Sequence, residues 1–327
     1  MDALKDLFHN VRFRHSLSWI ALFVILTGLL AGTVITTNKV DYIWRWEQIP
    51  RYILFKETIE VIVEDDATVT AVENEGADTL IVAIDFLDEE QYYTVPTKML
   101  STKVGDEIQR GQTLAEGKRW KPGLLLTGLL MTLRISVISI FLGIIIGLIT
   151  GLARLSNSPA PKWLAIGYIE LIRGTPLLVQ IYIFYFFIGQ VFRLSSFMAG
   201  VLALSFFAGA YIAEIIRAGI QSIHRGQMEA ARSLGMNYPQ AMRHIILPQA
   251  FKRILPPLAG QFISLIKDSS LVGVIALVEL TRAGREIGTS TFNYFEVFFT
   301  VAILYLILTF SLSMIVQYLE RRFAASD

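Results

Sequence analysis

The chain has 327 residues, of which 54% are hydrophobic and only 17% are charged, and its formal net charge is +1. A soluble domain usually carries about 25% charged residues, so the composition is typical of a membrane protein, and no nucleic-acid partner is expected. The absence of cysteine excludes disulfides, thiolate metal sites and cysteine nucleophiles. The four histidines are scattered in basic or helix-end contexts, so no metal site is predicted.

Apolar residues are concentrated in runs of about 20, the length that a helix needs to cross the roughly 30 Å hydrocarbon layer. The first run could instead be a signal peptide, because Lys5, Arg12 and Arg14 precede it, although no small-residue cleavage motif follows. The second run is longer than a bilayer is thick, so either its first part lies at the interface or its Arg134 extends to the headgroups. Six spans are predicted, at residues 16–35, 124–152, 177–191, 198–216, 258–278 and 294–319.

The formal net charge is close to zero, but the charged residues are distributed unevenly along the chain. Residues 36–118 contain 17 acidic and 8 basic residues, a net charge of −9, whereas the rest of the chain carries +10. Lys and Arg in short loops mark the cytoplasmic side of a membrane protein. With six spans, the basic N-terminus, the loops near Arg154 and Arg232 and the basic tail all fall on one side. We therefore expect a multi-pass protein of the cell (inner) membrane, with both termini cytoplasmic and residues 36–118 extracytoplasmic.

The segment 41–118 is predicted to form a small all-β insert. Apolar and polar residues alternate at 58–63, 68–72, 80–84 and 92–95, which is typical of half-buried strands. Turns follow at Gly105 and Gly111. The phrase at 104–114 resembles one half of the barrel-sandwich domains that carry biotin or lipoate, but the Met-Lys-Met-like attachment hairpin is absent. A carrier role is therefore not expected.

The loop at 219–250 is too polar to cross lipid, yet it has an apolar face. Gly235 fits the end of a short helix, since a left-handed residue costs little without a Cβ. Asn237 can cap a second helix with Pro239 in its first turn, and Pro248 is expected to end that helix. The sequence predicts a helix–turn–helix at the inner membrane face, either an interfacial amphipathic element or one that fits a groove on a partner. Its apolar face comprises Met228, Ala231, Leu234, Ala241, Ile245 and Ile246.

The order and spacing of residues in this loop resemble the signature loop of ABC-importer membrane permeases, without departures. The resemblance implies that the loop inserts into a cleft of a separate nucleotide-binding subunit and couples ATP-driven closure to the pore. ATP and Mg would then be bound by that partner, and this chain would hold no cofactor. Small Ala230 and Ala231 are expected to let the partner backbone approach closely. The residues that carry the match and the predicted coupling role are Glu229, Ala230, Ala231, Gly235, Ile245, Leu247 and Pro248.

Three further phrases, at 169–180, 210–217 and 266–272, resemble those of polar amino acid permeases of the histidine, glutamine and arginine type. The resemblance extends over about residues 120–325 and implies a five-helix core of the type I importer kind. The expected fold is an all-α integral membrane protein with six transmembrane helices and a small all-β extracytoplasmic insert. Its predicted parts are residues 1–40 with the first span, the insert 41–118, and the permease domain 119–327.

The same resemblance implies the partners. They are an ABC ATPase subunit, a second permease subunit that is identical or different, an extracytoplasmic amino acid-binding protein, and membrane lipid. The insert would then be either a spacer that adds acidic surface or a contact for the substrate-delivery protein.

Charged residues inside a span usually face protein or water, because a charge at mid-bilayer costs about 2.5–3.5 kcal/mol. Glu170 with Arg173, and Glu214 with Arg217, are spaced i,i+3, so each pair can neutralise itself on one helix face. Each pair is interpreted either as a structural ion pair near the membrane edge or as part of the translocation path.

A helix is predicted to end after Arg173, because proline removes a backbone donor and restrains the residue before it. Freed carbonyls and a helix start beside a cavity suit the two charges of a zwitterion. Polar residues of the fifth span either line the same path or form interhelical hydrogen bonds. The expected substrate path comprises Gly174, Thr175, Pro176, Gln180, Gln261, Ser264, Asp268 and Ser269.

Two other classes of protein are alternatives. A secondary transporter or a channel would explain the spans without ATP, but it would leave the loop at 229–248 without a purpose, and inverted repeats are not evident. A membrane-anchored enzyme needs a catalytic cluster, which the sequence lacks, and no Walker-type glycine loop is present. The sequence therefore predicts a transport subunit without catalytic chemistry of its own, which alternates between two states.

Overall fold

The computed structural model describes residues 11–39, 42–75, 78–85, 89–97 and 102–324. The chain separates into two compact units, Met1–Trp46 and Glu47–Asp327. In the first unit, helix α1 (Val11–Asn38) includes the predicted first span, and large apolar side chains such as Trp19 and Phe23 are exposed on it. A helix with exposed apolar side chains is expected where the surroundings are lipid or another protein rather than water.

The second unit is built around two long helices, α3 (Leu124–Arg154) and α7 (Ser196–Gln221). A Cβ on Gly143 would lie 3.1 Å from the Cβ of Ala208, so small residues let the two helices approach closely. Ser139 Oγ donates to the Val201 carbonyl at 3.2 Å. Successive contacts advance in the same direction along both helices, which are therefore parallel. Small residues at helix contacts are typical of membrane proteins, where close packing replaces the hydrophobic effect.

Because α3 and α7 are parallel, the chain has to return between them. It does so through α4 (Pro159–Arg173), α5 (Leu177–Tyr182), a π-helix (Ile183–Gly189) and α6 (Gln190–Phe192). The two halves of this return are bent by 105° at the break between Arg173 and Leu177, where the sequence predicts one. The predicted span at 177–191 is thus only the second half of a bent pair.

The rest of the core runs through α8 (Arg225–Ser233), α9 (Tyr238–Ala241), a π-helix (Met242–Ile246), α10 (Leu247–Asp268), a 3-10 helix (Ser269–Ile275), α11 (Leu280–Thr291) and α12 (Tyr294–Ala324). Among the described residues, four helices are long and apolar enough to cross a membrane, or five if the bent pair is one span. Most of the span predicted at 258–278 lies within the longer candidate span Tyr238–Ile275, and Pro256 and Pro257 lie inside α10. Helix α11 was not predicted.

The insert consists of a two-stranded ribbon and a four-stranded sheet. In the ribbon, β1 (Leu54–Ile62) pairs antiparallel with β6 (Thr113–Pro122), which passes the predicted boundary at residue 118. The sheet has the order β4-β3-β2-β5, from β2 (Ala67–Glu75), β3 (Asp78–Asp85), β4 (Glu90–Pro96) and β5 (Glu107–Ile108). All four predicted strands are found, and the core between ribbon and sheet includes Val69, Ile81, Val95, Ile108 and Leu114.

The insert is rooted in the helical core through α2 (Ile49–Ile53). Ile49 is buried in one apolar cluster with Leu125, Leu280 and Val297, from α3, α11 and α12. A Cβ at Gly123 would overlap the backbone of Tyr52, so only glycine fits where β6 turns into α3. We call this region, which holds the insert, the start of α3 and α11, the insert end. Helices α8 and α9 join the far end of α7 to the start of α10 and define the opposite, loop end.

Candidate functional site

The helix–turn–helix at the loop end is formed by α8 and α9. Gly235 has a φ of +81°, in the left-handed region that favours glycine. Its N–H donates to the Arg232 carbonyl at 2.9 Å, and the N–H of Met236 donates to the Ala231 carbonyl at 3.1 Å. These two bonds form a Schellman motif, which ends α8 as the sequence predicts.

The second helix starts at a capping box. Asn237 Oδ1 accepts from the Gln240 N–H at 3.0 Å, and Gln240 Oε1 accepts from the Asn237 N–H at 3.0 Å, with Pro239 in the first turn as predicted. The prediction that Pro248 ends this helix is wrong. The chain continues through the π-helix Met242–Ile246 directly into α10, and Pro248 lies in the first turn of α10.

Some apolar side chains of this segment are buried, and others are exposed to solvent. Ala231, Ala241 and Ile246 are buried against the chain itself. Ala231 is therefore not available to a partner, contrary to the prediction, whereas Ala230 is exposed. Leu234 is 83% exposed at the turn, so the free apolar surface is narrow and lies at the tip. Of the remaining signature residues, Glu229, Leu247 and Pro248 are exposed and Ile245 is half-buried.

The surface around this tip is basic. Arg225, Arg232 and Arg243 are exposed, and Glu229 is the single acidic residue between positions 225 and 246. His224 Nδ1 accepts from the Gly226 N–H at 3.1 Å and caps α8. The segment thus presents a small apolar tip in a cationic surround, which suits an acidic groove on a partner.

The break between α4 and α5 is closed by a buried amide. Gln180 Nε2 donates to the Ile172 carbonyl at 2.7 Å, to the Thr175 carbonyl at 3.1 Å and to Thr175 Oγ1 at 2.8 Å. Two carbonyls at the break, those of Ile172 and Thr175, are therefore already hydrogen-bonded within the chain. Gln180 Oε1 is buried and has no described hydrogen-bond partner. Gly174 and Pro176 are exposed at the same break.

The remaining predicted path residues lie on α10 and at its end. Gln261, Ser264 and Asp268 are half-buried and, at spacings of three and four, share one helix face. Ser269 is buried, and its hydroxyl donates to the Ile266 carbonyl at 2.7 Å, so it is used within the helix. Arg134 of α3 extends toward the insert end, with its guanidinium carbon 5.0 Å from the ring centroid of Phe197, the second residue of α7.

A cluster of charges surrounds Glu214 of α7. Its carboxylate accepts from Arg154 and from Arg217 Nη2, the latter at 2.9 Å, and Arg173 Nη1 lies 3.8 Å away. The predicted pair of Glu214 with Arg217 is confirmed. Arg173 pairs with Glu214 and lies over the Tyr211 ring, whereas no ion pair with Glu170 is found in the described part of the chain. Three guanidiniums from α3, α4 and α7 thus share one carboxylate.

A second carboxylate, which was not predicted, is buried at the insert end. Glu279 caps α11 by accepting from the N–H groups of Thr281 and Arg282, each at 2.7 Å, and it also accepts from Tyr305 Oη at 3.1 Å. Burial raises the pKa of Glu279, while its bonds to Thr281 and Arg282 oppose that shift. The sequence signal for α11 was available, since Leu280, Ala283 and Ile287 are spaced as one buried helix face after an acidic cap.

Within the described residues, no group of three or more His, Asp or Glu side chains is arranged to hold a metal ion. The long apolar helices and the bent return are those of a multi-pass helical membrane protein. The chain belongs to the family of binding-protein-dependent transport system inner membrane components, whose model matches residues 124–325.

Relatives of known name resemble the same part of the chain. The probable glutamine ABC transporter permease protein GlnM of Bacillus subtilis is 45% identical over 200 residues, which are 61% of this chain and 93% of GlnM. The glutamine transport system permease protein GlnP of Escherichia coli K12 is 45% identical over 202 residues, 61% of this chain and 92% of GlnP. The arginine transport system permease protein ArtQ of Bacillus subtilis is 40% identical over 205 residues, 62% of this chain and 94% of ArtQ.

Among solved structures, an amino acid ABC transporter crystallised with histidines is 44% identical, with a TM-score of 0.58, and the match covers 61% of this chain and 94% of that one. These relatives are matched over nearly their whole length, whereas the family match begins at residue 124. Helix α1 and the β insert are therefore additions to the family core.

Proposed function

We propose that this chain is the transmembrane permease subunit of an ATP-driven importer for polar amino acids. It would act with a separate ABC ATPase, which binds and hydrolyses ATP with Mg, and with a second permease subunit. The membrane part would carry out no catalytic chemistry. Its relatives are named as permeases for glutamine and for arginine, and both solutes are polar amino acids.

The observation that carries the proposal is the geometry of the loop-end tip. Leu234 is exposed, but the turn beneath it is fixed by the Schellman motif at Gly235 and by the capping box at Asn237. Rigid presentation lowers the entropy cost of binding a partner. A small apolar tip surrounded by basic residues fits a cleft on the ATPase. The residues proposed to couple the two subunits are Glu229, Ala230, Gly235, Leu247 and Pro248. Ala231 and Ile245 are proposed to support them from the interior of the loop end.

The proposed orientation follows from charge and from the two ends. The acidic insert and the basic tip lie at opposite ends of the parallel pair α3 and α7. The rule that basic loops face the cytoplasm then makes the loop end cytoplasmic and the insert extracytoplasmic. With α1 as a sixth span, the parts are 1–40, the insert 41–118 and the permease domain 119–327, and both termini are cytoplasmic in the inner membrane.

The proposed substrate path runs past the α4–α5 break and the polar face of α10. Gln180 Oε1 is a buried acceptor, and Gln261, Ser264 and Asp268 share a face that could contact a zwitterion. Gly174, Thr175, Pro176 and Ser269 would shape the path through the backbone. ATP binding would close the partner ATPase around the loop-end tip. This closure would switch the substrate path between two discrete states.

The test is binding of a nucleotide-binding ABC subunit to the purified full chain in nanodiscs. Gly235→Asp and Glu229→Lys should abolish co-purification and ATP-dependent amino acid uptake. The matched controls are Gly105→Asp, at an exposed glycine with a φ of +92° in the insert, and Glu64→Lys, at an exposed carboxylate there. Both controls should retain the ATPase. Retention in the two loop-end variants, or full uptake without any ATPase as in a secondary transporter or channel, would contradict the proposal.

A further inference from the structure

We propose that the outward face of the four-stranded sheet docks the extracytoplasmic binding protein that delivers the amino acid. This inference rests on the proposed function, and it gives the insert a role that the family core does not supply. We call this surface the open sheet face. Its centre consists of Ala71, Leu80, Val82, Ile84 and Tyr92, and its rim carries Glu73, Glu90 and Glu107.

The strand register places these residues together. Val82 pairs with Ala71 on one side and with Tyr92 on the other, and Ile84 pairs with Glu90. Directly paired residues of neighbouring strands lie on the same face of a sheet, so the centre is continuous across β2, β3 and β4. Residues on the opposite face, such as Ile81 and Val95, are fully buried in the core of the insert.

The composition of the open sheet face is that of an interface. Leu80, Val82 and Ile84 are partly exposed, and Tyr92 is 60% exposed. A solvated sheet face normally carries polar side chains at such positions. An apolar centre that includes tyrosine and is surrounded by a polar rim is characteristic of protein–protein contacts.

The charge of the rim determines which partner fits. Glu73 pairs with Leu80, Glu90 with Ile84 and Glu107 with Thr68, so carboxylates lie at three edges of the centre. Among the described pairs of this sheet, none includes a lysine or an arginine. A second copy of this face would be repelled by like charges, and so would an anionic lipid surface. The complementary partner is a soluble protein whose apolar patch is surrounded by Lys or Arg.

The insert root connects this surface to the helical core. Gln48 Oε1, just before α2, accepts from Asn293 Nδ2 at 2.9 Å, between α11 and α12. Ile49 of α2 is buried against the same two helices. A protein held on the open sheet face would therefore stay close to the insert end of the core, which raises its effective concentration there.

The experiment measures binding in the full transporter, in nanodiscs with its ATPase. The probe is a purified amino acid-binding protein, chosen because it stimulates ATP hydrolysis by the wild-type complex. The test variants are the combined Glu73→Gln, Glu90→Gln, Glu107→Gln and the single Tyr92→Ala. The control combines Glu60→Gln and Glu64→Gln, two exposed carboxylates of the insert outside the open sheet face.

We expect each test variant to weaken probe binding by on the order of tenfold, and the control to leave it unchanged. Salt should weaken wild-type binding and have much less effect on the triple variant, since the Debye length falls from about 10 Å at 0.1 M to about 3 Å at 1 M. Basal ATP hydrolysis without the probe should stay at the wild-type level in all variants.

Unchanged binding in the triple variant and in Tyr92→Ala would overturn this inference while leaving the proposed function intact. A change in permease dimerisation or in binding to anionic vesicles, in place of a change in probe affinity, would assign the face to another occupant and also overturn it. If no amino acid-binding protein stimulates the wild-type complex, the proposed function fails, and this inference fails with it.

Discussion

Two carboxylates at opposite ends of the helical core are held in different ways. Glu214, toward the loop end, faces three guanidiniums that are all partly exposed to solvent. Glu279, at the insert end, is fully buried and bound by fixed backbone and hydroxyl donors. Ion pairs that water can reach exchange partners at little cost, whereas buried hydrogen bonds are costly to break. The comparison indicates a rigid insert end and an adaptable loop end.

The largest effect is expected when the buried carboxylate is removed. Glu279→Ala would leave the N–H groups of Thr281 and Arg282 without their side-chain acceptor, and it would remove one of the partners of the Tyr305 hydroxyl, which also lies 3.2 Å from Thr281 Oγ1. We expect a loss of about 3 kcal/mol in the free energy of unfolding. Denaturant titration of the purified chain in detergent measures this loss.

Two variants serve as controls for Glu279→Ala. Glu286→Ala removes a partly exposed partner of Arg282 on the same helix and should cost less than about 0.5 kcal/mol. Glu279→Gln keeps an acceptor oxygen but cannot ionise. Burial raises the pKa of Glu279, so its contribution to stability is present at low pH and is lost as the pH rises through the raised value. The stability gap between wild type and Glu279→Gln should therefore narrow above about pH 4.5. A gap that widens would contradict this assignment.

A smaller effect is expected at the loop end. Glu214→Ala would leave Arg154, Arg173 and Arg217 facing each other without a counter-charge. We expect a loss of about 2 kcal/mol, less than for a fully buried pair because water screens the cluster. The same denaturant titration in low and in high salt measures it.

The effect of salt on the stability loss should distinguish the loop end from the insert end. Because added salt screens the repulsion among the three guanidiniums, about half of the loss in Glu214→Ala should be recovered at 0.5 M NaCl. The loss in Glu279→Ala comes from unpaired neutral donors, so salt should not restore it. Equal salt responses in both variants would remove the distinction drawn here.

The third prediction concerns helix packing near the loop end. A Cβ at Gly219 of α7 would overlap the Ile254 side chain of α10, while the nearest backbone atom, the Ala250 carbonyl oxygen, is 3.6 Å away. Gly219→Ala should therefore cost about 1.5 kcal/mol, and the double variant with Ile254→Ala, which removes both Ile254 Cγ1 and Cδ1, should lose clearly less than the sum of the two single variants. Thermal unfolding of the two single variants and the double variant measures the coupling. Additive losses would show that Ile254 is not the obstacle.

Local chemistry was enough to predict several elements from the sequence. The turn at Gly235, the cap at Asn237, the break after Arg173 and the four strands of the insert each depend on neighbouring residues, whose conformational preferences are short-ranged. The family resemblance also identified the core correctly, because the signature spacing in the loop is long and fixed.

Other features depend on tertiary contacts that no local pattern encodes. Pro256 and Pro257 suggest a helix end, yet α10 continues through them because packing overrides propensity. Glu170 is spaced to pair with Arg173, but Glu214 of another helix takes that role. The sequence predicts that Ala231 contacts a partner, whereas in the fold its side chain is buried against the chain itself. The sequence places Gln180 in the expected substrate path, but it does not indicate that the Gln180 amide nitrogen donates to the Ile172 carbonyl and to Thr175 Oγ1 at the break.

The smallest effect is expected at the turn of the loop-end tip. Gly235 has a φ of +81° and no atom within 4 Å of a built Cβ, so Gly235→Ala would be strained by the backbone alone. The cost should be about 1 kcal/mol. Hydrogen exchange of the α8 peptide should then rise about fivefold, without a change in the insert. Gly105→Ala, with a φ of +92° and equally open surroundings, should give the reverse pattern. If Gly235→Ala also accelerates exchange in α11, the two ends are not independent, and the contrast between Glu214 and Glu279 does not describe separate regions.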